Sequence, residues 1–90
     1  MAEIILDKQF VKNFGKKIKG NKSLEKKYEE RIDLFLHDRK NSILKDHQLQ
    51  GNMRTFRSFS VAGDYRIIYY EKDENIIFIF VDIGSHNQVY

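Results

Sequence analysis

Apolar residues recur with a helical period through the first half of the chain and with a strand period through the second, and the change falls near residue 51. Phe10, Phe14 and Ile18 stand four apart with Val11 beside them, which predicts one apolar stripe on a helix that begins after Asp7 as N-cap and ends at Gly20 and Asn21. A second helix is predicted from near Ser23. It carries Leu24, Tyr28, Ile32, Phe35 and Leu36 on one face and turns Lys26, Glu29, Glu30 and Asp33 mostly outward. The short Gly-Asn turn makes the pair an antiparallel helical hairpin, and neither helix is long enough to persist in water without a surface to lie on.

The second half predicts that surface. Three runs rich in Phe, Ile, Val and Tyr extend over Arg54 to Val61, Tyr65 to Glu71 and Ile76 to Ile83, separated by Ala62-Gly63-Asp64 and Lys72-Asp73-Glu74-Asn75. Ile67, Ile68, Tyr69 and Tyr70 are apolar on both faces, as in a central strand. The run Ile76 to Val81 would aggregate if left bare at an edge, so it is expected to be paired on both sides, with the N-terminal run Ile4-Ile5-Leu6 as one neighbour. The expected fold is a single α+β domain over residues 1–90. It has an N-terminal strand and a two-helix antiparallel hairpin packed on a mainly antiparallel sheet of three to four strands.

Composition narrows the chemistry. The chain has 90 residues and no cysteine, which removes disulfides, thiolate catalysis and Cys-based zinc sites. No apolar run approaches the roughly 20 residues that cross a bilayer, and the start MAEIILDKQF lacks the long apolar stretch of a secretory signal. A cytoplasmic protein with no membrane partner is therefore expected. Sixteen Lys and Arg against thirteen Asp and Glu give a net charge of +3, which permits an anionic partner. Lys16, Lys17, Lys19 and Lys22, with Lys26 and Lys27 beyond, give the hairpin a positive end that is either a solvated face or a surface for RNA.

The stretch Leu44-Lys45-Asp46-His47-Gln48-Leu49-Gln50-Gly51 sets a carboxylate beside an imidazole where helix gives way to strand. His47 precedes the first long strand, Asp64 and Arg66 flank the turn into the second, and His86 follows the last, so a meander allows them one sheet edge. Imidazoles suit proton transfer because their ordinary pKa of about 6.5 lies near working pH. Arginine suits phosphate because its fork binds two oxygens at once. Each residue also has a plainer account. Arg57 and Arg66 would serve as solvated strand charges, Asp64 as a turn residue, Tyr90 as core packing or a frayed end, and His37 as a structural or solvated helix residue. The spacing of His47, Asp64 and His86 matches no compact metal motif.

Lys45-Asp46-His47-Gln48-Leu49-Gln50-Gly51, then Phe56-Arg57-Ser58, Gly63-Asp64-Tyr65-Arg66-Ile67-Ile68-Tyr69-Tyr70, and Ile83-Gly84-Ser85-His86 with terminal Tyr90 together resemble the YafQ-like branch of the RelE toxins. The resemblance covers residues 44 to 90 in motif and the whole chain in layout. It implies the toxin half of a bacterial type II toxin–antitoxin pair, an endoribonuclease that cuts mRNA in the ribosomal A site without metal or cofactor and is silenced by a cognate antitoxin. It makes His47 and His86 the acid–base pair and Asp64 an active-site carboxylate. Lys45, Arg57, Arg66 and Tyr90 become the RNA-binding residues, with Tyr90 holding the substrate base. Two positions depart from the branch: Ser60 stands where many members have a further histidine, and Asp82 where a basic residue is common. Two rivals remain: a ParE-like toxin directed at DNA gyrase, which the His47/His86 pair argues against, and a binding module that folds and engages an antitoxin but cuts nothing, which Ser60 and Asp82 favour.

Overall fold

The Asp7 carboxylate accepts the Gln9 N–H at 2.9 Å, and α1 (Lys8–Lys17) runs on from that cap. The computed structural model describes residues 2–74 and 76–85. Asn21 caps α2 (Lys22–His37) in the same way through the Leu24 N–H. Between the helices Gly20 adopts φ +93°, a conformation that a side chain disfavours, and donates its N–H to Glu25 at 3.0 Å. The hairpin thus begins and turns where the sequence predicts.

Five strands follow the sheet order β1-β5-β4-β3-β2, one more than the upper expectation. They are β1 (Glu3–Leu6), β2 (His47–Gln48), β3 (Arg57–Ala62), β4 (Tyr65–Lys72) and β5 (Ile77–Ser85). The unexpected member is β2, whose two residues are too few to show a period. The first long strand begins at Arg57 rather than Arg54, because Gly51–Met53 form a 3-10 turn that closes the β2–β3 loop. β5 is paired on both sides as expected, antiparallel to β4 and parallel to β1, with Ile4 beside Phe78 and Leu6 beside Phe80. Two bulges interrupt the ladders, at Val61 between β3 and β4 and at Val81 between β4 and β5.

Helix α2 covers one face of this sheet, with Phe35 as its fully buried side chain. Phe35 lies 4.6 Å from Phe59, 5.0 Å from Phe78, 5.1 Å from Tyr69 and 5.6 Å from Phe80, mostly edge to face. Each such pair adds about 0.5–1.5 kcal/mol beyond the area it buries. Phe10 of α1 extends the cluster to Phe80 at 5.5 Å. Leu36, expected on the inward face, is 41% exposed, and Leu44 in the loop after α2 is fully buried instead. Arg31 secures this loop, with its guanidinium donating to the carbonyls of Ile43 at 3.4 Å and Ser60 at 3.2 Å.

Candidate functional site

Side-chain alternation gives the sheet two distinct faces. Arg57, Phe59, Ile67, Tyr69, Glu71, Phe78, Phe80 and Ile83 belong to the helix-covered face, as the Phe35 contacts and the strand pairings require. His47, Ser58, Ser60, Arg66, Ile68 and Asp82 belong to the other. Residues adjacent in sequence therefore serve different faces, and Asp46-His47 is the pair where this matters most.

Asp46 turns toward the helices. Its side chain is 7% exposed, and it accepts from Arg57 Nε and Nη2, both at 2.8 Å, and from the Tyr69 hydroxyl. Burial first, and then the bond to Asp46, raise the Tyr69 phenol above its ordinary pKa, so the hydroxyl stays a donor. Arg39 reaches the same Tyr69 oxygen at 3.2 Å, binds Glu71, and lies 5.1 Å over the Phe78 ring. The result is a continuous chain of charge-assisted bonds from α2's end to β2. It ties the short edge strand to the body of the protein.

His47 turns to the open face and is exposed. Its ring Nδ1 lies 2.8 Å from the Lys45 carbonyl. A carbonyl only accepts, so Nδ1 carries a proton and Nε2 is left as the basic, solvent-facing nitrogen. Lys45 makes that contact from a left-handed conformation at φ +52°, uncommon for a residue with a side chain.

Arg66 lies on His47's face. The register Ser58–Ser60 along β3, and the pairs His47–Ser58 and Ser60–Arg66, separate the two residues by two strand spacings and two positions, about 10 Å across and about 7 Å along the sheet. Arg66 Nε is buried and has no hydrogen-bond partner among the described residues. Arg57, the other expected clamp, is held on the opposite face by Asp46.

Asp64 is exposed in the turn between β3 and β4, and β5 ends beside that turn with Ser85 opposite Tyr65. His86 and Tyr90 lie outside the described residues. Ser60 is 6% exposed on the open face. Asp82 is occupied: Gln9 donates to it at 3.0 Å, Asn13 at 2.6 Å and the Ile83 N–H at 2.8 Å, so its charge anchors α1 to β5 at the bulge. His37 is a solvated helix residue whose Nδ1 meets the Asp33 carbonyl at 2.8 Å. Arg39, Glu71 and Tyr69 carry no local signal as a supporting network, since only the sheet brings them together beside Asp46. Among the described residues no group of three or more His, Cys, Asp or Glu could hold a metal ion, and no helix is long and apolar enough to cross a membrane.

A strand, a helical hairpin and a mixed sheet with β1 parallel to the last strand make up the fold of the RelE and ParE toxins. The chain is similar in structure to a YoeB/ParE toxin from Agrobacterium tumefaciens, with a TM-score of 0.77 at 13% identity over 96% of this chain and 99% of that one. A family model described as the bacterial toxin of type II toxin–antitoxin systems, YafQ, matches residues 2–90, and the chain belongs to that family. Among solved structures it is similar to a metal-bound toxin from Helicobacter pylori, with 26% identity, full coverage of both chains and a TM-score of 0.77. It is also similar to the toxin chain of the E. coli DinJ–YafQ complex, with 23% identity, 100% and 99% coverage and a TM-score of 0.74. A comparison with curated protein sequences finds no match.

Proposed function

We propose that this toxin is a metal-independent endoribonuclease that cuts mRNA on the ribosome and is neutralised by a cognate antitoxin. The observation that carries the reading is His47, with Nδ1 saturated by the Lys45 carbonyl and Nε2 open on the face that also holds Arg66. Nε2 takes the proton from a ribose 2′-hydroxyl. The oxygen so freed attacks the adjacent phosphorus, and Arg66 holds the negative charge that builds on the phosphorane oxygens. The bond from phosphorus to the 5′-oxygen then breaks, and that oxygen takes a proton from His86 in the role of acid. Asp64 orients the acid side of the site, and Tyr90 stacks on the substrate base. The products are a 2′,3′-cyclic phosphate and a 5′-hydroxyl end. Arg57 has a different part, since its fork is committed to Asp46.

The membership of the family and the complexed state of the similar E. coli toxin support an antitoxin partner. A reading as an inert antitoxin-binding module draws on Ser60, where a buried hydroxyl replaces the family's further histidine. Inducing the chain in bacterial cells, alone and as His47→Gln, separates the two. Growth arrest with new 5′-hydroxyl message ends that fall by about 100-fold or more in the variant fits general base catalysis. Arrest with intact messages, or no arrest, removes the nuclease. Cleavage that stops with chelator would remove the metal-independent step.

A further inference from the structure

On the helix-covered side of the edge strand β2, Arg39, Lys40, Lys45 and Arg57 line a half-open cavity of about 210 Å³ together with Ser42 and the Asp46 carboxylate. Asp46 and, just beyond the lining, Glu71 offset two of these four positive charges. Arg39 and Arg57 are fixed and offset by Glu71 and Asp46 and form a rigid wall, so the uncompensated charge is that of the two lysines. Lys40 and Lys45 have no ion-pair partner among the described residues. The left-handed turn at Lys45 serves both sides of β2, since the residue lines this cavity while its carbonyl holds the His47 ring.

We propose that this cavity binds a second phosphodiester of an RNA strand, from the message or from ribosomal RNA, on the opposite side of β2 from His47. The inference rests on the nuclease reading for its choice of RNA. A concave site that brings two unpaired ammonium groups and the Ser42 hydroxyl to one cavity fits a phosphate anion. A strand that passes round the edge at β2 places one phosphate here and another between His47 and Arg66. Because β2 is the edge strand and only two residues long, a flexible single strand can pass round it from one face to the other.

Binding is measured with the chain carrying His47→Gln, so that nothing is cut. The probes are a single-stranded RNA oligonucleotide whose linkages are made neutral methylphosphonates one at a time, and isolated ribosomes by co-sedimentation. Adding Lys40→Ala and Lys45→Ala lowers affinity for the oligonucleotide about 10-fold and reduces the salt slope by about 0.7 per lost phosphate contact. One neutral linkage reproduces that loss in the parent and has no effect in the lysine variant. A loss on ribosomes alone assigns the phosphate to ribosomal RNA. Unchanged affinity for both probes, or a loss confined to an acidic protein partner, overturns the proposal. Melting curves of the variants report whether the fold is kept, and Lys40→Ala alone gives the same test without touching the Lys45 turn. RNA held through the cavity but never cut by the chain with His47 intact would remove the nuclease and leave the cavity. Cutting with an indifferent cavity would do the reverse.

Discussion

Asp46 and His47 share a peptide bond and face opposite sides of the sheet: the carboxylate is sealed against Arg57 and Tyr69, and the imidazole stands open over Ser58. The first fixes where the second stands. Removing the anchor should therefore disturb both stability and the candidate base.

Asp46→Ala leaves Arg57 and the Tyr69 hydroxyl without their acceptor. It is expected to cost about 2–4 kcal/mol, with a coupling to Arg57→Ala of about 1–2 kcal/mol in a double-mutant cycle measured by urea unfolding. Additive single effects would mean that the two side chains merely sit close together.

Tyr69 sets a pH limit. Its phenol is raised in the fold, so its contribution is fully present below the ordinary phenol pKa of about 10 and is lost as pH climbs through the raised value. Unfolding free energy is expected to hold level from about pH 8 to 10 and to fall above that. In Tyr69→Phe this part of the fall disappears, at a constant cost of about 1–2 kcal/mol below pH 10. An identical alkaline decline in both proteins would assign it to other groups.

Asp82 stands where a basic residue is common in the branch, and the structure gives it work between α1 and β5. Asp82→Ala is expected to destabilise by about 1–2 kcal/mol, since Asn13 and Gln9 lose a charged acceptor. Any cleavage at saturating substrate should stay within about twofold, as read from single-turnover rates.

Lys45 occupies backbone space that suits glycine. Lys45→Gly should leave the melting temperature equal or raise stability by up to about 1 kcal/mol, while RNA affinity drops with the lost charge. A clear loss of stability would show that the lysine stem packs against the loop.

Phe35→Ala removes the ring that four sheet aromatics share, and a cost of about 3–5 kcal/mol is expected, a large part of what a small domain possesses. Calorimetry would register it as a drop in melting temperature well beyond that of Leu36→Ala, whose side chain is largely in water.

The elements that carry their own local signal were legible. Phe10, Phe14 and Ile18 mark α1, Asp7 caps it, and the apolar run after Ile76 demanded two neighbours and has them. Leu36 was misjudged because a helix of sixteen residues offers more apolar positions than the sheet beneath can cover. The site was legible only by residue type. Which side of the sheet a polar group serves depends on register, and two bulges and a two-residue strand set that register. Hence Arg57 and Arg66 look equivalent in sequence and are not. His47's proton placement could not be read at all, since a carbonyl two residues back decides it.

The parallel pairing of β1 with β5 joins Glu3–Leu6 to Ile77–Phe80, partners 74 positions apart in the sequence. Closing so long a loop is slow, and it must wait until the last strand has been synthesised and has cleared the exit tunnel. During its own translation the polypeptide therefore lacks the seam that completes its sheet, and β1 stays an unpaired strand until β5 has emerged.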